Sequence, residues 1–248
     1  MKGKILSTRP VPVLGAPHPR ILVVLSGEPP KKPWLQTLAK TADIVVGADA
    51  GAAPVLKAGL RLDYLIGDLD SIPAPLREKM DDSRTIHDIG QEETDGEKAL
   101  RYVTDRWRRP DVILLGGVGP RLDHLFGTML AAARCALRCR RLQLLLADHH
   151  AIFANPRVEL TVPKGATLSL LPLGPCQGVS ASGLRWHLEN EALEIGSRGV
   201  SNVATTGTVT VSRRVGHLMV MRRVRTTETV LGITGWDKSP DRWPDFMR

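Results

Sequence analysis

The chain has 248 residues and a formal net charge of +8, with 42% hydrophobic and only 4% aromatic residues. This length allows one large domain or two small ones, and the hydrophobic content excludes a wholly disordered chain. No apolar run reaches the roughly 18–20 residues of a membrane span, and prolines interrupt the basic N-terminus too often for a signal peptide. We therefore expect a cytoplasmic protein without a membrane partner. The odd number of cysteines, three, fits a reducing compartment.

Short apolar runs alternate with helical patterns through the first 150 residues. The predicted strands span 21–26, 44–48, 64–66, 85–87, 112–115 and 142–146. The predicted helices span 33–42, 50–58, 73–80, a segment from Thr94 to about Trp107, and 122–138. Thr94 and Glu97 have the spacing of a capping box at the start of the fourth helix. This alternation predicts an α/β domain with an open, mostly parallel sheet at residues 21–150.

The pattern changes after about residue 150, where short alternating segments follow one another without helices. Strands are predicted at 159–162, 167–171, 184–188, 192–195, 208–212 and 218–223. Closely spaced strands of this kind predict a C-terminal antiparallel β-sandwich domain at residues 155–225. Residues 1–20 are left as an N-terminal extension and residues 226–248 as a C-terminal tail without a clear period.

Acidic residues follow two of the predicted parallel strands, where ligands of such sheets bind. Asp49 follows the second strand, and Asp68 and Asp70 follow the third. In an extended segment, residues at i and i+2 point to one side, so the last two carboxylates together suit Mg²⁺. The alternative is a turn that contains aspartate because aspartate favours turns.

Asp95 lies in the first turn of the capped helix, and Lys98 follows one turn later. An acid in the first turn can simply stabilise the helix dipole, which is the structural alternative for Asp95. Lys98 can pair with an acid or reach a phosphate.

A glycine-rich turn, GGVGPRLDH, follows the predicted strand 112–115. Its glycines, including Gly117, allow close approach of the backbone to a phosphate at a helix start. Arg121 can bind phosphate oxygens bidentately, and Asp123 can act as a metal ligand or a base. The alternative is an ordinary strand–helix loop with a surface arginine, in which His124 is a capping or core residue.

Together these turns describe a site for Mg²⁺ and a polyphosphate, provided that the sheet brings them to one edge. Thirteen of the sixteen aspartates precede residue 151, so the acidic chemistry belongs to the predicted α/β domain. The excess positive charge then belongs mainly to the exterior, and the site itself is locally acidic.

In this order, the motifs resemble those of the thiamine pyrophosphokinase family. The resemblance runs from about Ile21 to Val224. It includes the turn at 48–51, GDLDS at 67–71, EETD at 92–95 with Lys98, and GGVGPRLDH at 116–124. In the second part, GLRW at 183–186 and GVSN at 199–202 complete the match. Six motifs in order across both predicted domains make the match specific.

The resemblance implies an α/β domain followed by a β-sandwich, in a homodimer with active sites at the subunit interface. It also implies transfer of the diphosphate of ATP to the hydroxyl of thiamine, with Mg²⁺ as the cofactor and AMP as the second product. The resemblance assigns catalytic and metal-binding roles to Asp68, Asp70, Asp95 and Asp123. It assigns the binding of ATP or its phosphates to Asp49, Lys98, Gly117, Arg121 and His124. It assigns the binding of thiamine to Trp186, Ser201 and Asn202.

Trp186 can stack on a cationic ring, and Ser201 and Asn202 can hydrogen-bond a pyrimidine. Their structural alternatives are a sandwich-core tryptophan and a capped turn. The sequence departs from the family at Pro120, where a glycine is usual, and at Thr128, where an asparagine is usual. Glu92 and Gln91 also replace the usual aspartate and lysine.

Three alternative functions remain open at this point. One is a diphosphokinase for another alcohol, such as a hydroxymethylpterin, and one is a thiamine-binding paralogue with weak activity. The third is a basic nucleic-acid-binding module. The sequence contains no helix-turn-helix or RNA-binding motif, and aromatics for base stacking are scarce. We therefore expect no nucleic-acid partner.

Overall fold

Six parallel strands form the first part of the fold in the computed structural model, which describes residues 18–78, 80, 84–225 and 227–236. The strands are β1 (Arg20–Val24), β2 (Ile44–Ala48), β3 (Tyr64–Gly67), β4 (Thr85–His87), β5 (Asp111–Leu115) and β6 (Arg141–Leu146). Their spatial order is β6-β5-β1-β2-β3-β4, so the chain moves outward from β1 in one direction and then in the other. The point where this order reverses lies between β1 and β5.

Helices cover both faces of these strands. They are α1 (Lys32–Thr41), α2 (Ala52–Lys57), α3 (Ala74–Arg77), α4 (Asp95–Arg106) and α5 (Leu122–Ala136), with a 3₁₀ turn at Asp49–Gly51. Ile21 and Val23 pack in the core formed with α4 and α5, whereas Leu22 and Val24 pack in the core formed with α1 and α2. Burial on both faces explains why these strands appear in the sequence as continuous apolar runs.

Eight further strands follow: β7 (His149–Phe153), β8 (Arg157–Thr161), β9 (Thr167–Pro172), β10 (Cys176–Ser182), β11 (Leu188–Leu193), β12 (Asn202–Val203), β13 (Thr208–Ser212) and β14 (Leu218–Arg223). Strands β7, β14, β9 and β12 extend the first sheet antiparallel beyond β6, which gives ten strands in all. Strands β11, β10, β13 and β8 form a second sheet, and apolar side chains from both sheets fill the space between them. The predicted fold class, an α/β sheet followed by an antiparallel sandwich, is confirmed.

The predicted strand at 184–188 is wrong. Leu184 forms only a single bridge with Ala204, and residues 185–187 are all exposed, so no alternating face is buried there. The sequence pattern missed three strands, β7, β10 and β12. In β10 the glycine and serines give little apolar alternation. The predicted third helix, 73–80, is one turn at Ala74–Arg77, and residue 79 lies outside the described ranges.

The end of the chain contributes to the fold, although its sequence showed no clear period. Helix α6 (Val230–Thr234) packs on the same core as α1, and Trp236 is only 1% exposed there. Trp236 Nε1 donates to Asp111 Oδ1 at 3.2 Å, and Gln143 Nε2 donates to the Thr234 carbonyl at 3.2 Å. Of the predicted extension and tail, residues 1–17, 226 and 237–248 lie outside the described ranges. Within those ranges, no helix has the length and apolar character needed to cross a membrane.

We predict that Trp236→Ala lowers the free energy of unfolding by about 3–5 kcal/mol, because it leaves a cavity in the core and removes a partner of Asp111. Chemical denaturation measures the change. Trp186→Ala is the matched control, since Trp186 is 57% exposed and should cost less than about 1 kcal/mol. Equal, small effects of both substitutions would show that the C-terminal helix is not part of the core.

Candidate active site

Three aspartates converge at the carboxyl edge of the parallel strands. Asp49 follows β2, Asp68 follows β3, and Asp95 is the first residue of α4. One carboxylate oxygen from each lies within 4.8 Å of the other two. We refer to these residues as the aspartate cluster. The structure therefore brings together two predicted metal ligands, Asp68 and Asp95, with Asp49, which was predicted to bind ATP.

Local backbone features keep Asp95 in the cluster. Thr94 Oγ1 accepts a hydrogen bond from the Glu97 amide at 3.3 Å, as expected for the N-cap of α4. Gly67 has a φ of 145°, and a Cβ atom at that position would lie 3.0 Å from Asp95 Oδ1. The absence of a side chain at Gly67 thus makes room for the Asp95 carboxylate.

Asp49 has the most constrained environment in the cluster. It is 4% exposed, its φ is 44°, and its Oδ1 is buried without a hydrogen-bond partner among the residues that the structure describes. Burial raises the pKa of Asp49, and the charges of Asp95 and Asp68 raise it further, against the lowering effect of hydrogen bonds from Ala50 and Ser71. An unpaired buried oxygen among like charges is unfavourable unless a ligand completes it.

The chemistry of this donor set fits a divalent cation such as Mg²⁺. Mg²⁺ binds hard oxygen ligands, commonly one or two carboxylates together with phosphates and water. The aspartate cluster offers three carboxylates, and the unpartnered oxygen of Asp49 is the atom that most lacks a positive partner. A cation there would relieve the repulsion that the three charges create.

Lys98 lies close to the cluster and is buried. Its Nζ donates to the Asp88 carbonyl at 2.8 Å and to Asp95 Oδ1 at 3.3 Å. Of the two roles that the sequence left open for this lysine, the geometry favours pairing with an acid. Arg101 supports the same loop, because it binds both Asp88 and Glu93 at under 3 Å.

Asp70 lies outside the cluster. Leu69 has a φ of 66°, so the segment from Asp68 to Asp70 is not extended, and the expectation that both carboxylates point to one side is wrong. Asp70 is exposed and accepts a hydrogen bond from Ser71 Oγ at 2.7 Å. Its assignment as a metal ligand remains a prediction.

A cleft of about 210 Å³ adjoins Asp95 and contains most of the predicted phosphate-binding residues. Arg121 and His124 line it, together with Gly117 and Thr128. Arg121 binds Asp123 bidentately, with Nε–Oδ1 at 2.9 Å and Nη2–Oδ2 at 2.6 Å, and this pairing holds the pKa of Asp123 well below its usual range. The structure thus places Asp123 with Arg121 and outside the aspartate cluster. To bind a phosphate bidentately through Nε and Nη2, Arg121 must leave Asp123.

Gly117 has a structural role that the sequence did not indicate. Its amide donates to the Ser26 carbonyl at 3.1 Å, so this N–H does not point outward to a phosphate as expected. Gly117 has a φ of 77°, and a Cβ atom there would lie 2.8 Å from a methyl group of Leu25. This glycine allows the loop after β5 to pack against the loop after β1.

A second pocket surrounds Trp186 in the sandwich. It has a volume of about 440 Å³ and is lined by residues that include Trp186, Arg185, Glu191, Arg198 and Asn202. The Arg185 guanidinium lies 5.5 Å from the centre of the Trp186 ring, so the ring already has a cation on one face. Trp186 is therefore an exposed aromatic surface and not a sandwich-core residue.

Asn202 fixes the backbone beneath this pocket. Its Nδ2 donates to the Trp186 carbonyl at 2.6 Å, and its Oδ1 accepts from the Trp186 amide at 3.1 Å and from the Val203 amide at 2.9 Å. These bonds occupy the side chain that was predicted to bind thiamine, and they position Trp186. The adjacent Ser201 is exposed, with a φ of 61° and its amide bonded to Ser169 Oγ.

Sequence reasoning did not find the position of Asp49 within the aspartate cluster, and it missed the clamp that Asn202 makes on Trp186. The signal for Asp49 was available, because an aspartate follows β2 as Asp68 follows β3. The signal for Asn202 was not, because its partner Trp186 lies sixteen residues earlier, in a segment that the pattern wrongly predicted as a strand.

Comparisons with known proteins agree on one family. Residues 35–144 match the thiamin pyrophosphokinase catalytic domain, and residues 149–218 match the thiamin pyrophosphokinase vitamin B1 binding domain. Thiamin pyrophosphokinase 1 of Caenorhabditis elegans is 24% identical over 217 residues, covering 81% of this chain and 88% of the relative. Thiamine pyrophosphokinase 3 of rice, Oryza sativa, is 28% identical over 152 residues, which is 54% of this chain and about half, 55%, of the rice protein.

Solved structures of similar fold have the same family name. The thiamine pyrophosphokinase of Bacillus subtilis superposes with a TM-score of 0.70 at 20% identity, covering 83% of this chain and 99% of the other. That of Geobacillus thermodenitrificans gives a TM-score of 0.68 at 24% identity, covering 84% and 99%. At these identities the superpositions establish the shared fold.

We predict that Asp49→Asn makes the metal-free protein more stable at pH 7, by about 1 kcal/mol or roughly 2–4 °C in Tm. The pKa of Asp49 is raised above its ordinary value of 3.8, so the folded state binds this proton more tightly than the unfolded state. Ionisation therefore costs stability as the pH rises through this range, and the cost is present at pH 7. The gain should shrink as the pH falls toward 3.8.

The same variant should lose the stabilisation by Mg²⁺ that we expect for the wild type, because binding to the folded state alone raises Tm. Thermal unfolding with and without Mg²⁺ measures both effects. Asp105→Asn is the matched control, since Asp105 is an exposed acid on α4 that pairs with Arg138. An Asp49→Asn protein that still gains Tm from Mg²⁺ as the wild type does would remove Asp49 from the metal site.

Proposed function

Because the chain belongs to the thiamine pyrophosphokinase family, we propose that it transfers the diphosphate group of ATP to the hydroxyl group of thiamine, giving thiamine diphosphate and AMP. The observation that carries this proposal is the aspartate cluster, in which a buried oxygen of Asp49 lacks a partner. Beside it lies the cleft that Arg121 and His124 line. Carboxylates next to a guanidinium suit a polyphosphate that arrives with a divalent cation.

The cofactor in this proposal is Mg²⁺, held by Asp49, Asp68 and Asp95. When bound, it neutralises part of the charge of the triphosphate and favours attack by an oxygen nucleophile. The protein supplies a rigid arrangement of these carboxylates, because Thr94 caps α4 and Lys98 binds Asp95. Such positioning matters more in phosphoryl-type transfer than covalent participation of the protein does.

The proposed transfer forms one bond and breaks one. The thiamine hydroxyl oxygen bonds to the β-phosphorus of ATP, and the bond from that phosphorus to the bridging oxygen of the α-phosphate breaks, so AMP leaves. The hydroxyl proton passes to a carboxylate of the site. Arg121 stabilises the phosphate oxygens once it exchanges Asp123 for the nucleotide, because a guanidinium binds both groups in the same bidentate way.

The Trp186 pocket is the proposed site for thiamine. Thiamine carries a cationic thiazolium ring, and Trp186 is an exposed aromatic surface on which a cation, Arg185, already lies. The carboxylate of Glu191 also lines the pocket and pairs there with Arg198. Stacking on Trp186 and attraction to Glu191 would both favour a cationic ring.

We also propose a homodimer with active sites at the subunit interface, in which α5 takes part. Helix α5 exposes three apolar side chains at a four-residue spacing, Leu122, Phe126 and Leu130, and it begins beside the cleft at Arg121. A partner that covered this face would also border the cleft. Light scattering should give a mass of two chains for the wild type and one chain for Phe126→Asp, with loss of turnover. A monomeric wild type with full activity would contradict this proposal.

The direct test of the reaction is release of AMP from ATP and Mg²⁺, measured with thiamine, with a hydroxymethylpterin and with no acceptor. We expect AMP only with thiamine, in amounts equal to the thiamine diphosphate formed. AMP with the pterin alone would identify the alternative diphosphokinase. Tight thiamine binding without AMP release would identify a binding paralogue.

Two variants in the same assay separate the proposed roles. Asp68→Asn should lower kcat by about 10²–10³-fold, because it removes a charge that acts on the reacting phosphates. Trp186→Ala should raise the KM for thiamine by about 2–30-fold and leave the KM for ATP unchanged, which corresponds to a loss of about 0.5–2 kcal/mol of cation–π attraction. Asp105→Asn is again the control, and an equal loss of activity in it would mean that the effect of Asp68→Asn is not specific to the cluster.

A further inference from the structure

A third cavity opens at the carboxyl edge of the sheet, on the face that carries α1. Trp34, Lys31, Glu28, Val118 and Leu145 are among the residues that line it. No role was assigned to any of these side chains by the motifs described above. We propose that this cavity, the Trp34 pocket, binds the base and sugar of the nucleotide donor; this inference rests on the proposed use of ATP.

The position of the pocket in the fold supports this assignment. In open parallel sheets, ligands bind outside the carboxyl ends of the strands, at the point where the strand order reverses. Here that point lies between β1 and β5, and the loops that follow these two strands form the wall of the pocket. The Trp34 pocket thus occupies the place in the topology where a bound nucleotide is expected.

The loops after β1 and β5 contact each other, and this contact separates the Trp34 pocket from the cleft beside Asp95. The Glu28 amide donates to the Val118 carbonyl at 2.7 Å, and a Cβ atom at Gly27 would lie 2.5 Å from the same oxygen. Val118 lines both the Trp34 pocket and the cleft that contains Asp95 and Arg121. One ligand can therefore extend over Val118, with its phosphates in the cleft and its base in the pocket.

The size and chemistry of the pocket suit a nucleoside. Its volume of about 180 Å³ lies below the roughly 300–1,000 Å³ of pockets that enclose a whole drug-sized ligand, so it fits part of a larger molecule. Trp34 offers an aromatic surface for stacking, and Lys31 Nζ lies 4.4 Å from the centre of its ring. The carboxylate of Glu28 can accept hydrogen bonds from sugar hydroxyls, and Lys31 can attract the adjacent phosphate.

Binding of AMP and of inorganic tripolyphosphate to Trp34→Ala, measured by titration calorimetry, tests the proposal without requiring turnover. We expect the Kd for AMP to rise about tenfold, because stacking on an aromatic side chain contributes strongly to base binding. The Kd for tripolyphosphate, which has no base, should change less than twofold. Lys40→Ala is the matched control, since Lys40 is an exposed residue of the same helix outside the pocket.

Trp34→Phe gives a second readout that does not depend on the stability of the alanine variant. AMP should quench the tryptophan fluorescence of the wild type more strongly than that of Trp34→Phe. Equal quenching, unchanged AMP affinity in Trp34→Ala, or equal losses for AMP and tripolyphosphate would each overturn the proposal. If AMP binding depends on Trp34 but no thiamine-dependent AMP release occurs, the pocket assignment stands and the proposed acceptor is wrong.

Discussion

Repulsion among three carboxylates is the constraint on which the proposed site of the α/β domain depends. Asp49, Asp68 and Asp95 hold their oxygens within 4.8 Å of one another, and burial of Asp49 makes its charge more costly still. The surrounding backbone must therefore fix them in place. Gly51 illustrates this, because a Cβ atom there would lie 2.2 Å from the Val24 carbonyl, so only glycine lets the turn after β2 pack this closely on β1. The electrostatic cost of holding three carboxylates together is explicable if the site binds a cation together with a phosphate chain.

The reversal of strand order between β1 and β5 explains how the rest of the proposed site is arranged around this cluster. Asp49 and Asp68 follow β2 and β3 on one side of the reversal, and Arg121 lies in the loop after β5 on the other side. Contact between the loops at Gly27 and Val118 then separates the cleft from the Trp34 pocket. In this account the phosphates of a nucleotide bind in the cleft, and its base and sugar bind in the Trp34 pocket.

Much of the α/β domain could be predicted from the sequence, because continuous apolar strands and a capped α4 are local signals. Thr94 indicated the start of α4, and the structure confirms it. The backbone after β3 could not be predicted, since Leu69 has a left-handed φ that its residue type does not indicate, and Asp70 is not part of the cluster. The clamp of Asn202 on Trp186 and the burial of Trp236 also depend on partners distant in sequence, Trp186 in one case and Asp111 in the other. The predicted strands and helices were therefore enough to place the site at one edge of the sheet. Which side chains form the site depends on contacts between residues distant in sequence.

The most direct test of the central claim is a crystal structure with Mn²⁺, in place of Mg²⁺, and a non-hydrolysable ATP analogue, with the metal located by its anomalous scattering. We predict a peak bound by Asp49, Asp68 and Asp95, with the phosphates in the cleft beside Arg121. A metal peak bound by Asp123 and not by Asp49, or a nucleotide bound away from this edge of the sheet, would contradict the account.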